Sequence, residues 1–534
     1  MKKYKIHLFS LVAALGLSSC DDYLDINQSP NNPTYESVTP NLALSGAITQ
    51  PYRSFSTQAN VLGNLFMNSW GGNVNSVTGI YTVEFDLNID NSFYSRIWEN
   101  LFLTTLGLTN IQNYPSAQYD NHKAIAKITK AFYFQYLVDL YGDIPYSQAH
   151  NPLNTTPVYD NAQTIYRDLV VQLEDAIEMI DNAPAGTNAV GLEDPVFKGN
   201  MTNWKKFANT LKLRILLRES DVAASQPYLV QEFAELAGAQ FLDVNAIVNP
   251  GYSNANNDRQ NPFYNTYGFQ INETDARPSY SSTVITKNAV ESLDGTKYSA
   301  SNTSLAYDGR IGRLFKANQT TLIPNPDPTP SPGDPTQVSV PVYIGVVQGM
   351  TGIQAPENLA NIGPGLLKNS AQDGYLMTAA ESYFLQAEAV HRTYLSGNAK
   401  ELFEQGIRSS FVLLGAPIST TDDNPLVIRT TYNDYITRIN ANNINKLSWD
   451  GTANKLEAIM TQKWIALMGI NGIESWIEYT RTGLPQTDLA LTATRPRKPY
   501  RLMYPNSEYT ANGNNVPSQS QNDAFNNKIF WALP

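Results

Sequence analysis

The chain has 534 residues and a formal net charge of -11, and 42% of its residues are hydrophobic while 16% are charged. These values are typical of globular proteins with a sizeable core, and they exclude wholesale disorder. Because an acidic protein has no general affinity for phosphate backbones, we expect no nucleic-acid partner. The only cysteine, Cys20, excludes an intramolecular disulfide and a metal site built from several cysteines.

The N-terminus predicts an exported and lipidated protein. Residues 1–5 are basic, residues 6–17 form an apolar run too short to span a membrane as a helix, and Leu17-Ser18-Ser19-Cys20 matches the bacterial lipobox. We therefore expect a signal peptide over residues 1–19 and lipidation of Cys20 with more than one acyl chain, which gives stable anchoring. An ordinary secretory signal with a chance cysteine is the alternative, and the position of the only cysteine disfavours it. Removing the signal, whose only charges are three lysines, leaves 34 basic and 48 acidic side chains, a net charge of -14.

Residues 121–141 predict the central helix of the fold. Asp120 or Asn121 can cap its start, Gly142 and Pro145 can end it, and no glycine or proline lies between. From residue 131 to residue 141 the pattern is apolar or aromatic on nearly every face, so the helix should be buried on most sides. Such a helix needs other helices around it, and the fold class is therefore predicted to be mainly α.

Further helices are predicted on both sides of this one. Apolar side chains recur at helical spacing over residues 41–50, 92–111, 165–180, 204–218, 376–394, 399–414, 456–467 and 471–485. Asp160 is the expected cap of the third of these. The helix over 204–218 has a basic second face, interpreted as a solvated face with ion pairs rather than an anion site. Four tryptophans on helical stripes are predicted to lie in the core: Trp98, Trp204, Trp464 and Trp476.

Irregular segments interrupt the helices, and two of them are candidates for ligand binding. Residues 20–40 are polar with several prolines and predict a tether, whereas loops are expected over 66–90, 250–280 and the proline-rich stretch 322–341. The first two loops combine aromatic residues with Asn and Gly, as sugar binding requires, because pyranose rings stack on aromatic faces and amides bond hydroxyls. The candidate ligand-binding residues are Trp70, Asn73, Tyr81, Tyr264, Tyr267 and Tyr280. The alternative is that these aromatics only pack the loops onto the helices.

Motifs of the common enzyme classes are missing. The chain has no HExxH, GxSxG, GxxxxGK[ST] or GxGxxG motif in a suitable context, and after the signal only His122, His150 and His391 remain as histidines. His122 and His391 are expected at a helix start or a surface rather than as metal ligands. We therefore expect no catalytic residues and no metal site, although a hydrolase built from two carboxylates stays open because any two acids can meet in space.

Several phrases of the sequence, in order, resemble the SusD/RagB family of outer-membrane lipoproteins, and especially its second SusD-like branch. These phrases are LVDLYGDIPYSQA at 137–149, WKKFANTLKLRILLR at 204–218, DGRIGRLF at 308–315, YFLQAEAVHR at 383–392, QKWIALMGINGIESWIEYTRTGLP at 462–485 and RLMYPNSEY at 501–509. The resemblance implies a single domain over residues 41–534, with tetratricopeptide-like helix pairs as scaffold and irregular loops carrying the ligand site. It transfers no individual ligand residue.

The resemblance also implies a role in nutrient capture. Family members work as lipid-anchored, surface-exposed partners of a SusC-like TonB-dependent barrel in the outer membrane, and most bind glycans while some bind peptides. We therefore expect a non-enzymatic lipoprotein that captures an oligosaccharide and delivers it to such a transporter. The alternatives are the same scaffold binding peptides, or a cell-surface glycoside hydrolase or structural lipoprotein. No cofactor is expected besides the lipid on Cys20, and the sequence leaves open whether a calcium ion supports a loop.

Overall fold

The computed structural model describes residues 38–73, 80–327, 335–352 and 355–532. The predicted signal peptide, the lipidation site Cys20 and nearly all of the predicted tether lie outside the described residues. The same holds for parts of the loops predicted over 66–90 and 322–341.

Helices make up most of the regular structure. In chain order they are α1 Pro40–Ser54, α2 Asn60–Phe66, α3 Thr82–Asp86, α4 Ser95–Gln112, α5 Asp120–Tyr141, α6 Ala162–Asp181, α7 Met201–Arg218, α8 Gln226–Glu235, α9 Pro262–Tyr267, α10 Pro278–Ser282, α11 Lys287–Leu293, α12 Ile311–Leu314, α13 Ala379–His391, α14 Ala399–Leu414, α15 Pro425–Ile428, α16 Tyr432–Ala441, α17 Lys455–Leu467, α18 Gly472–Thr482, α19 Asn506–Ala511 and α20 Asp523–Asn526. A π-helical turn, Phe55–Ala59, joins α1 to α2. The predicted mainly α class is confirmed.

The strands are short and form three small antiparallel sheets. They are β1 Trp70–Gly72, β2 Ala246–Val248, β3 Thr283–Ile285, β4 Phe315–Lys316, β5 Gln319–Pro324, β6 Gln337–Val342, β7 Asn361–Ile362 and β8 Gly374–Met377. One sheet has the order β1-β3-β7-β4, while β2 pairs with β8 and β5 pairs with β6. The β5–β6 hairpin is the described part of the proline-rich excursion, and most of its side chains are exposed or half-buried.

Helix α5 is the centre of the molecule, as its sequence predicts. It is buried along almost its whole length and packs against α1, α4, α6 and α7. The helix ends where Gly142 adopts φ +79°, a conformation that a residue with a Cβ rarely takes. The predicted core tryptophans, Trp98, Trp204, Trp464 and Trp476, are all buried.

The second half of the chain contributes a close helix pair and the helices that cover it. Helices α13 and α14 pack along their lengths, and α17 packs against both. The contact is close because Gly406 of α14 faces the ring of Phe384, which lies where a Cβ on Gly406 would meet it at 2.7 Å. Helix α18 packs on α17 and on α2 from the first half, so that one apolar core extends from Leu44 to Trp531.

A buried ion cluster joins five of these helices. Its members, each at most 3% exposed at the side chain, are Asp139 on α5, Arg214 and Arg218 on α7, Glu381 and Glu388 on α13, Lys463 on α17, and Glu474, Glu478 and Arg481 on α18. The expectation of a solvated basic face on 204–218 is therefore wrong for its C-terminal half, although the expected ion pairs are present. Helix α7 is enclosed on this side by helices that supply carboxylates, which its own sequence does not reveal.

The predicted cap of α6 is wrong, because the side chain of Asp160 binds a residue outside the helix. Helix α6 is capped by Asn161, whose side chain accepts from the backbone of Gln163 and Thr164. The predicted cap, Asp160, instead accepts from the backbone N–H of Ser147 at 2.7 Å.

Two further expectations are corrected. The alternating stretch around residues 80–85, for which a loop or short hairpin is predicted, forms the one-turn helix α3. His122 lies in the first turn of α5, as expected for a helix start, but it is fully buried, and its Nε2 lies 3.1 Å from Glu193 Oε1. Burial lowers the pKa of His122, and the contact with Glu193 opposes that shift.

Candidate functional site

The two loops predicted to bind a ligand meet in the structure. Strand β1, from the first loop, pairs with β3, which directly follows the second, with Trp70 opposite Ile285 and Gly72 opposite Thr283. Beyond β1, the backbone N–H of Asn73 donates to Ser282 O at 2.8 Å. Residues more than two hundred positions apart therefore form one local structure.

Most of the candidate ligand-binding aromatic residues are buried where the two loops meet. Trp70 is completely buried, with its ring centroid 5.6 Å from that of Tyr267 and 6.2 Å from that of Phe263. Tyr264 and Tyr280 are also buried. These three predicted residues present no free ring face for stacking, because the loop aromatics pack against each other when the two loops close on the helices. The side chain of Asn73 donates to Ser281 O at 3.4 Å and ties the loops together.

A cleft with a volume of about 510 Å³ lies beside this aromatic packing. We call it the tyrosine cleft. It is lined by Gln58, Val61, Ile80, Tyr81, Ser92, Tyr94, Ser95, Arg96, Tyr267, Ser279 and Ser282. Of the predicted ligand-binding residues, Tyr81 and Tyr267 are therefore brought to one cleft, and Trp70, Asn73, Tyr264 and Tyr280 are not among its lining residues.

The hydroxyl groups of the cleft tyrosines are held by the protein. Tyr81 Oη lies 2.7 Å from Thr283 Oγ1, and Tyr94 Oη donates to Glu84 Oε1 at 2.8 Å. Burial raises the pKa of Tyr81 to about 12, so that its hydroxyl stays neutral at physiological pH. With the hydroxyls engaged, the rings are fixed in place and what they offer to the cleft is mainly aromatic surface.

Two of these tyrosines have unusual backbone conformations. Tyr81 has φ +65° and Tyr94 has φ +50°, and a bulky side chain rarely adopts this left-handed region. Each such residue costs on the order of 1 kcal/mol or more, and such residues cluster at functional sites. Both positions begin helices, since Tyr81 precedes α3 and Tyr94 precedes α4. The strained turns place both tyrosines at the wall of the cleft.

One part of the cleft lining, residues 94–96, was not predicted from the sequence. Tyr94, Ser95 and Arg96 stand at the start of a predicted amphipathic helix, where only the apolar stripe carried a signal. The available clue was the lack of an acidic residue in the first turn of α4, which instead carries Arg96.

The described lining of the tyrosine cleft carries hydroxyl, amide and guanidinium groups. None of the described residues that line the tyrosine cleft is Asp, Glu, His or Cys.

Elsewhere in the described chain, Glu174, Glu232 and Glu235 lie close enough together to hold a metal ion. Lys212 pairs with all three carboxylates, with its Nζ in contact with Glu174 and 2.7 Å from Glu232 and 3.1 Å from Glu235. Within the described ranges, no helix is both long and apolar enough to cross a membrane.

Two family models match most of the chain between them. Residues 30–291 match a model described as "Starch-binding associating with outer membrane", and residues 306–532 match one described as "Susd and RagB outer membrane lipoprotein". A comparison with curated proteins finds no match to this chain.

Solved structures of similar fold include several SusD homologues. A chitin-binding protein is 21% identical with a TM-score of 0.69, covering 93% of this chain and 100% of its own. A chitin-binding SusD homologue from Flavobacterium johnsoniae is 21% identical with a TM-score of 0.65, covering 92% and 98%. A SusD/RagB family protein from Bacteroides thetaiotaomicron is 21% identical with a TM-score of 0.66, covering 93% and 99%. The predicted SusD-like helical fold is confirmed, and the chain belongs to the SusD/RagB family of outer-membrane lipoproteins.

Proposed function

We propose that the chain is a non-enzymatic, lipid-anchored surface protein that captures an oligosaccharide in the tyrosine cleft and delivers it to a SusC-like TonB-dependent transporter. The observation that carries this proposal is the meeting of the two aromatic loops at one cleft. Its volume of about 510 Å³ suits a short stretch of glycan, since ligand pockets span roughly 300–1,000 Å³.

The chemistry of the lining supports a sugar. Tyr81 and Tyr94, which are half-buried, bring aromatic surface that can contact the C–H faces of pyranose rings, whereas the lining residue Tyr267 is only 6% exposed. Ser95, Ser279 and Gln58 bring groups that can exchange hydrogen bonds with sugar hydroxyls. Because no described lining residue is a carboxylate, the cleft lacks the acid pair that glycoside hydrolysis ordinarily uses. Similarity to chitin-binding SusD homologues adds support for carbohydrate as the ligand class.

Calorimetric titration of residues 21–534 with panels of oligosaccharides and peptides tests the ligand class. We expect saturable binding of one glycan class and none of the peptides. Tyr81→Ala should weaken that binding by about tenfold or more, because one stacked ring contributes on the order of 1–2 kcal/mol. Tyr509→Ala is the matched control, since Tyr509 is an exposed tyrosine on α19 outside the cleft lining.

The result can contradict the proposal in two ways. Binding of peptides alone would keep the scaffold and replace the substrate. Glycan binding that Tyr81→Ala leaves unchanged would move the site away from the tyrosine cleft. Circular dichroism of each variant shows whether a loss of binding reflects a loss of folding.

The transporter partnership has its own test. The family models describe association with the outer membrane, which supports this part of the proposal. We expect the full-length protein to co-purify from detergent-solubilised outer membranes with a TonB-dependent barrel, identified by mass spectrometry. Purification without such a barrel under conditions that preserve other membrane complexes would contradict it.

A further inference from the structure

Among the described residues that line the tyrosine cleft, Arg96 is the one charged side chain. Arg96 lies in the first turn of α4, its side chain is exposed, and its guanidinium forms no hydrogen bond or ion pair with any described residue. Arginines that are more enclosed than Arg96, such as Arg218, Arg392 and Arg438, form ion pairs.

The position of Arg96 makes its lack of a partner informative. A helix N-terminus carries a partial positive charge, so a cation in the first turn is unfavourable for the helix itself. The 18-residue α4 has no acidic residue in that turn to compensate. Helix stability therefore does not explain an arginine here, whereas a negatively charged ligand in the cleft would be attracted by it.

The acidic side chains on either side of Arg96 in the sequence accept hydrogen bonds from other donors. Glu99, three residues later on α4, accepts from Ser507 Oγ at 2.9 Å. The carboxylate of Asp90 accepts from Ser92 N at 2.8 Å and from Ser92 Oγ at 2.7 Å. Glu84 accepts from Tyr94 Oη at 2.8 Å. None of these three acids lines the cleft or lies within ion-pair distance of Arg96, so the cleft itself has one positive charge and no negative one among its described residues.

We infer that the glycan captured in the tyrosine cleft is an acidic one, whose carboxylate or sulfate group pairs with Arg96. The planar guanidinium binds carboxylate and sulfate oxygens through two parallel hydrogen bonds, which a neutral hydroxyl cannot match. The tyrosine rings and serine hydroxyls would hold the adjoining sugar rings. This inference rests on the proposed function and narrows its substrate class.

Non-specific attraction cannot mimic this preference. The mature chain has 34 basic and 48 acidic side chains, so its overall field repels anions. A preference for an acidic glycan over its neutral counterpart therefore has to come from a local site.

The test uses glycan pairs that differ only in charge. Residues 21–534 are titrated with oligogalacturonate and its methyl ester, and with sialyllactose and lactose, at about 0.15 M salt where long-range attraction is screened. We expect the acidic member of at least one pair to bind about tenfold more tightly than its neutral partner. Arg96→Gln should bring the two affinities to within about twofold, chiefly by weakening binding of the acidic glycan, and Arg96→Lys should retain part of the preference. Arg259→Gln, which changes an exposed arginine outside the cleft lining, should leave the preference intact.

Each other outcome of these titrations contradicts either the inference or the proposed function. Equal binding of acidic and neutral members, or a preference that survives Arg96→Gln, overturns the inference while leaving oligosaccharide capture in place. If the protein binds neither glycan pair but does bind other neutral glycans, the inference is overturned as well. Failure of every glycan, acidic and neutral, would instead overturn the proposed function itself.

Discussion

At the scale of single residues, the buried ion cluster is the feature with the largest energetic consequences. Glu474 accepts from Arg218 at 2.7 Å and from Lys463 at 2.9 Å. Burial disfavours its charged form, but Arg218, Lys463 and Arg214 outweigh that effect and lower its pKa. The cluster is thus held together by mutual pairing, and removal of one member leaves its partners charged and buried.

Glu474→Gln should therefore destabilise the protein strongly. We expect a loss of about 3–5 kcal/mol in the free energy of unfolding, since buried partners are left without their counter-charge. Urea unfolding of residues 21–534 measures it. The control is Glu291→Gln, which breaks a more exposed pair with Lys287 and should cost about 0.5 kcal/mol or less. Similar losses in both variants would show that the cluster is not specially sensitive.

Asp139 gives the cluster a pH dependence of its own. Burial raises its pKa to about 6, against the opposing charge of Arg218. Because the folded pKa lies above the unfolded value near 4, the native state keeps a proton that the unfolded state releases. This group therefore makes stability fall as the pH rises from about 4 to about 6. The pKa of its neighbour Arg218 is raised and that of Glu474 is lowered, so the folded state favours the charged form of both.

Asp139→Asn isolates that contribution. The difference in unfolding free energy between wild type and variant should change by up to about 3 kcal/mol between pH 4 and 7. The wild type should become less stable relative to the variant as the pH rises. Unfolding curves at a series of pH values measure the difference. A difference that stays constant over the window would place the titration elsewhere.

At the scale of elements, the contact between α13 and α14 depends on one small residue. A Cβ on Gly406 would meet the buried ring of Phe384 at 2.7 Å, whereas a Cβ on Gly46, also within a helix, would meet nothing within 4 Å. The same substitution should thus have opposite effects at these two sites.

Gly406→Ala should destabilise by about 1–3 kcal/mol through overpacking, and Gly46→Ala should stabilise by about 0.5–1 kcal/mol through helix propensity. Thermal unfolding of the two variants beside the wild type provides the comparison. An increase in stability for both would mean that the helix pair has room that the structure does not show.

At the scale of the whole molecule, anchoring remains a prediction from the N-terminal sequence. Cys20→Ala should abolish incorporation of a labelled fatty acid and release the protein from the membrane fraction, because the acyl chains are its expected anchor. The natural control is the wild-type chain expressed in the same cells. Continued labelling of the variant would overturn lipidation at this residue.

The candidate site could be predicted only in part. The composition of the two irregular loops singled out segments that meet at the tyrosine cleft, and Tyr81 and Tyr267 line that cleft, while ligand binding there stays a prediction. Trp70, Tyr264 and Tyr280 are instead buried, because aromatic residues in a loop carry the same sequence signal whether they face solvent or each other. Arg96 was invisible to this reasoning, since its role depends on which loops close over the start of α4.

The helical class, the extent of α5 and α14 and the family of the chain are readable in the amino-acid sequence, because helical periodicity, glycine stops and family phrases are local patterns. The remaining features depend on which residues become neighbours in the folded chain. In the folded chain, basic residues of α7 form ion pairs with carboxylates from α13 and α18. Two loops that lie about two hundred residues apart in the sequence meet beside the tyrosine cleft. Burial and charge pairing are properties of neighbours in space, and a one-dimensional pattern does not specify those neighbours.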